Sequence, residues 1–231
     1  MPPEGLQRAV RPRDAASLVL VRRAADGRIE VLMGQRNKQH RFMPESYVFP
    51  GGRVDPRDGG LDFGVPLRPY VAAKLGKAAT PRRAVALALA AIRETYEETG
   101  LMVGSPLPNG APKRVPDAWQ PFIAAGLAPA LDALHYIARA ITPPFRPQRF
   151  HARFFMVDGN LARGELGGSG ELEFLRWLPI EDGLTLPIPA ITSRVLKEVD
   201  RLMADPAVLD DPERPVTAYR TLNRKHQYFH D

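Results

Sequence analysis

An α/β chain is predicted by three observations. Two apolar, β-branched runs near the start are separated by a turn, and a helix-length stretch from Arg82 to Thr99 contains neither glycine nor proline. Further strand-like and helical segments follow residue 149. At 231 residues and 44% hydrophobic content, the chain is long enough to bury one large α/β core with insertions. Residues 1–231 are therefore read as a single domain.

The elements follow in order. Ala16–Arg23 and Ile29–Arg36 flank a turn and read as a hairpin, and Ser46–Phe49 forms a third short strand that Pro50, Gly51 and Gly52 end in a tight loop. Residues 59–80 lack sustained periodicity and read as an insertion with one short helix around Tyr70–Leu75. Thr80 suits an N-cap and Pro81 a first helical position, so a helix runs through Thr99 and stops at Gly100. Gly104–Pro116 reads as a loop, and Asp117–Ile141 as one or two helices broken near Gly126 and Pro129. Arg149–Val157 and Leu172–Leu178, the latter after a flexible GGSG, have strand character. Ala190–Met203 places Ile191, Val195, Val199 and Leu202 on one helical stripe. Residues 206–231 read as a polar C-terminal tail.

Composition narrows the chemistry. Cysteine is absent, which removes disulfides, thiolate metal sites and cysteine nucleophiles. The five histidines have no metal-ligand spacing, so any metal would be a hard ion held by oxygen. The net charge of +6 is compatible with nucleic acid, but the basic residues form no run and no aromatics interleave with them. Nucleic acid and membrane are thus disfavoured as partners, and a homodimer is left open. No apolar run long enough to span a bilayer or to act as a secretory signal is present, which predicts a cytoplasmic protein.

The long helix carries the functional signal. From Ala84 to Ile92 it has no polar side chain on any face, which marks a buried helix. RETYEETG then brings Glu94, Glu97 and Glu98 onto one arc, roughly opposite Val85, Leu89, Ile92 and Tyr96. Three acids at this spacing repel one another, and the negative end of the helix dipole opposes them further. Arg93 offsets one charge, and divalent Mg²⁺ or Mn²⁺ explains the remainder.

FPGGRVD followed by RETYEETG resembles the Nudix box, with Gly52, Arg93, Glu94, Glu97, Glu98, Gly100 and Leu101 on its pattern. Thr95 stands where a bulky apolar residue is usual. The early acidic position falls on Asp58, and about thirty residues, not the usual seven, separate it from Arg93, so an insertion splits the box. The same split, with the FMPxxxVFPGG run at Phe42–Gly52, is similar to the branch containing peroxisomal coenzyme A diphosphatases of mammals and their bacterial relatives. Arg36 and Arg41 match part of a coenzyme A signature, although Asn37 and Glu45 depart from it.

The resemblance implies an α/β/α sandwich with a mixed sheet and metal-dependent cleavage of a nucleoside diphosphate-linked small molecule. Coenzyme A or acyl-coenzyme A leads, with ADP-ribose or NADH as the alternative and a non-catalytic nucleotide-binding module as the reading of another class. It further implies metal ligation by Gly51, Glu94, Glu97 and Glu98, and catalytic roles for Arg93, Glu94 and Glu98. Glu171 and Glu173 are both candidates for a general base, Glu171 being the one carried forward. Arg36, Arg41 and Arg153 are substrate-binding candidates, and His151 reads as structural.

Overall fold

The computed structural model describes residues 10–39, 43–109, 112, 115–222 and 225–230. In chain order the elements are β1 (Arg13–Arg23), β2 (Ile29–Arg36), β3 (Tyr47–Val48), β4 (Gly51–Arg53), α1 (Pro69–Gly76), α2 (Pro81–Thr99) and β5 (Met102–Pro106). Then come α3 (Gln120–Ala124), β6 (Leu127–Pro129), β7 (His135–Ile141), β8 (Phe150–Asp158), β9 (Ala162–Arg163), β10 (Leu172–Pro179) and α4 (Ile180–Thr185). The last are α5 (Ala190–Ala204), β11 (Thr217–Leu222) and β12 (Lys225–His230).

A mixed sheet runs in the order β10-β2-β1-β8-β7-β11-β12. β1 is parallel to β8, and β7 to β11, while the other pairs are antiparallel. β8 occupies one edge of β1 along most of its length. The opposite edge pairs with β2 at Val21–Arg23 and with β4 at Ala15–Ser17, so the strands fork there. Gly51 sits inside that fork. A smaller sheet, β6-β5-β9, lies apart.

Period-two alternation sends the two sides of each strand into two cores. Ala16, Leu18, Leu20, Leu32, Phe155 and Val157 join α2, and Val19, Val31, Met33, Phe154 and Met156 join Val195, Leu196, Val199 and Leu202 of α5. The result is the expected α/β/α sandwich. Ala86 to Ile92 of α2 are all buried, as the uninterrupted apolar run requires.

The insertion is part of the core. Phe63, Leu67, Val71 and Leu75 are buried, and the Phe63 ring lies 5.2 Å from that of Trp119. Two expectations need correction. Residues 117–141 contain only α3 and two short 3-10 turns, Asp117–Trp119 and Leu131–Ala133, as helix; Leu127–Pro129 and His135–Ile141 are strands. The reason is tertiary: β7 is covered on both edges by β8 and β11, which favours the β-competent HYIARAI as sheet. The C-terminal tail likewise supplies β11 and β12.

Among the described residues, no helix is long and apolar enough to cross a membrane. Because Ala88 of α2 is fully buried in the core shared with the sheet, Ala88→Leu should overfill that contact. A loss of about 1–3 kcal/mol is expected in urea unfolding of the full chain.

Candidate active site

Thr80 Oγ1 accepts from Arg83 N–H at 3.3 Å, and Pro81 opens α2. At the other end Gly100, with φ 76°, takes the left-handed position that closes the helix, its N–H donating to Tyr96 O at 2.8 Å. Between these caps, burial and charge collide. Arg93 and Glu98 are buried, Glu94 is half-buried and Glu97 is exposed. Thr95 fills the usual apolar position at no polar cost, because its hydroxyl donates to Ala91 O at 2.8 Å.

Arg93 organises the site. Its guanidinium bonds Asp58 Oδ2 at 3.1 Å, Arg53 O at 3.0 Å and Glu94 Oε1 at 2.7 Å, and lies 3.6 Å from Glu97 Oε2. Burial alone would lower its pKa, but Asp58 and Glu94 outweigh that and raise it. Asp58, 2% exposed, therefore ties the glycine loop to the helix across the insertion.

The glycines explain the close approach. A β-carbon on Gly52 would overlap the Glu94 carboxylate, and one on Gly51 would meet Ala16 O and Ser17. Gly51 N–H donates to Glu98 Oε2 at 2.8 Å. Burial pushes Glu98 up to about 8, reinforced by Glu94 and Glu171 and opposed by the Gly51 N–H and by Arg36. Burial also raises Glu94, against the pull of Arg93. Arg36 is half-buried, and burial lowers its pKa while Glu98 opposes that shift.

The segment after β9 covers the end of α2. Gly167 N–H donates to Thr99 O at 2.9 Å and Ser169 N–H to Glu97 O at 2.8 Å, satisfying carbonyls that the helix leaves open. Gly168, at φ 113°, lies against the Glu98 backbone, where a side chain would overlap. The glycines of GGSG are thus a helix closure. Sequence reading passed over that role, although their density after the strand at residue 158 was a visible signal. The same segment delivers Glu171, whose charge reaches Glu94 and Glu98. Glu173 pairs instead with Gln35 in the β10–β2 ladder.

The other expected substrate contacts separate. Arg153 is 1% exposed and bonds Asp14 Oδ1 and His151 O, both at 2.8 Å, so it is a buried brace between β8 and β1 with no surface to offer a substrate. Asp14 also accepts from Arg83 of α2 at 2.6 Å. His151 approaches Arg139 at 3.3 Å, and burial, with Arg153 next, lowers it to about 4. Arg41 lies outside the described residues. A cleft of about 320 Å³ lined by Leu61, Phe63, Val65, Pro81 and Val85 contains none of the clustered acids.

Among the described residues, no three acidic or imidazole groups already converge on one point. Glu94 is turned to Arg93, Glu98 to Gly51 N–H and Glu97 outward. The donor set still fits a hard divalent ion. Its side-chain donors are all carboxylate oxygens, and the burial that raises Glu94 and Glu98 is the deficit a cation would relieve.

A mixed-sheet sandwich with an arginine-anchored acidic helix beside a glycine loop defines a class of metal-dependent hydrolase. No protein-family model matches the chain. A Nudix hydrolase from Alicyclobacillus acidocaldarius has a similar structure, with 34% identity over 88% of this chain and 93% of that one, at a TM-score of 0.63. The MutT protein of Bacillus halodurans matches at 15% identity over 95% and 97%, TM-score 0.48. A C. elegans Ap4A hydrolase complex matches at 19% over 83% and 98%, TM-score 0.45. The chain belongs to the Nudix hydrolases.

Two tests follow from this geometry. Asp58→Asn, which leaves the buried Arg93 short of one counter-charge, should lower unfolding free energy by about 3 kcal/mol in denaturant titration. The second concerns pH. Glu98 keeps its proton in the folded, metal-free chain up to about pH 8, whereas unfolded it ionises near 4.5. Between those values the unfolded state has released a proton that the folded state retains, so stability falls as pH rises. The melting temperature of metal-free protein should drop from pH 5 to pH 8 more than that of Glu98→Gln. Mg²⁺ or Mn²⁺ should restore more at pH 8 than at pH 5; an equal gain at both would contradict the assignment.

Proposed function

We propose that the chain hydrolyses coenzyme A or acyl-coenzyme A to 4′-phosphopantetheine and 3′,5′-ADP. The coarser activity, hydrolysis of a diphosphate linkage, follows from membership of the family, whose hydrolases use divalent ions such as Mg²⁺ or Mn²⁺. The observation that carries the finer reading is the split box. Asp58 and Arg93 meet at 3.1 Å across the insertion, so the two halves that resemble the coenzyme A diphosphatase branch form one site. The Phe42–Gly52 run and the placement of Arg36 beside Glu98 support it.

Bound divalent cations supply charge neutralisation at the diphosphate and raise the acidity of a water. Glu97 and Glu98 are the principal ligands, with Glu94 and the Gly51 backbone completing the set. Arg93 holds Glu94 in place. Arg36 supplies a fixed positive charge to a phosphate oxygen. Glu171 accepts a proton as a water oxygen bonds to one phosphorus; the phosphorus bond to the bridging oxygen breaks, and that oxygen departs on the second phosphate ester.

Glu98→Gln and Glu97→Gln should each reduce turnover by about two orders of magnitude or more, with an unchanged circular dichroism spectrum. Purified protein with Mg²⁺ or Mn²⁺ should be offered coenzyme A, acetyl-coenzyme A, ADP-ribose, NADH and diadenosine polyphosphates, with products resolved by chromatography. Preferential release of 3′,5′-ADP from coenzyme A is the expected result. Faster cleavage of ADP-ribose or NADH would replace the coenzyme A reading.

A further inference from the structure

Left-handed backbone outside glycine is confined, among the described residues, to one rim of the molecule. Met43, Glu45 and Phe174 have φ of 52°, 58° and 51°. Strand β2 links Glu45 to the neighbourhood of Phe174. Gln35 Nε2 donates to Glu45 O at 2.8 Å and Glu45 N–H to Arg36 O at 3.0 Å, while Gln35 pairs across the ladder with Glu173, the residue before Phe174. The same rim borders the acids. Leu172 pairs with Arg36, Asn37 N–H donates to Glu171 O at 3.2 Å, and Glu171 acts on both Glu94 and Glu98.

Phe174 is the anomaly within the rim. It occupies a register shift in β10 between Glu173 and Arg176, where a left-handed residue is ordinarily glycine. A bulky side chain in that conformation is rare, and it costs free energy that its surroundings must offset. Here burial offsets nothing, because Phe174 is 66% exposed. Both the backbone conformation and the exposed ring thus cost this residue free energy.

We propose that Phe174 is the platform on which the heteroaromatic base of the substrate's nucleoside stacks while the acidic helix engages its diphosphate. The inference rests on the reading of the site as a diphosphate hydrolase. The scale is appropriate: only three residues of chain separate Phe174 from Glu171, which keeps them within about 11 Å of each other, comparable to the span of ribose and base beyond a phosphate. An aromatic face accepts any base without hydrogen-bond readout, so this contact would contribute affinity and leave selection of the distal group to other residues.

The test uses full-length protein and the variants Phe174→Gly, Phe174→Leu and Phe174→Tyr. The melting temperature, KM for the best-cleaved diphosphate, and calorimetric Kd for AMP and for ribose 5-phosphate, which lacks a base, are measured with Mg²⁺ present. Phe174→Gly relieves the backbone, so its melting temperature should not fall, while KM and the AMP Kd should rise about tenfold. Phe174→Leu should resemble the glycine variant, Phe174→Tyr should return both values to near wild type, and ribose 5-phosphate affinity should not respond.

The proposal is overturned by unchanged AMP affinity in Phe174→Gly, whether with a lower melting temperature, which would mark a structural role, or with dissociation of a dimer, which would mark a subunit contact. An equal loss for AMP and ribose 5-phosphate would also overturn it. Should no diphosphate be cleaved, the hydrolase reading alone fails, and the comparison of AMP with ribose 5-phosphate still decides the role of Phe174.

Discussion

The buried guanidinium of Arg93 is the contact on which the site depends. It meets a carboxylate from the glycine loop, a backbone carbonyl from β4 and a carboxylate of its own helix. Removed from water, a guanidinium requires partners on every side, and those partners happen to be the two halves of the signature. The stretch between Asp58 and α2 does not disturb this arrangement, because the ion pair fixes where its start lies relative to the helix. The insertion then adds Phe63, Leu67, Val71 and Leu75 to the core on its way back.

Around that anchor, the protein holds like charges in a place where neither solvent nor helix geometry favours them. Close glycine contacts at positions 51 and 52 bring backbone to within touching distance of Glu98 and Glu94, and the sheet fork at β1 leaves room for it. The helix end is closed by N–H groups from residues 167 and 169, which soften the negative pole beside the acids. The tendency of Glu98 to remain protonated is the measure of what this arrangement leaves uncompensated without a cation.

Much of this was legible in the chain. The uninterrupted run from Ala84 to Ile92 announced a buried helix, and the spacing of Glu94, Glu97 and Glu98 announced a shared face, because both depend on local periodicity. The failures were non-local. His135–Ile141 contains alanines and follows a short helix, and only its neighbours β8 and β11 make it a strand. The C-terminal strands were hidden for the same reason. Arg153 read as an available cation, yet the register that places it beside Ala16 buries it against Asp14. A single sequence carries no record of which strand will lie next to which.

The loop that closes α2 has a consequence for how heat disables the molecule. Residues 163–171 are largely exposed and glycine-rich, and they carry Glu171 while bonding the carbonyls of Glu97 and Thr99. Segments of this kind open at lower free energy than a packed core. Loosening there would part Glu171 from Glu94 and Glu98 in one motion without unpacking either core, so loss of activity on warming is expected before global melting.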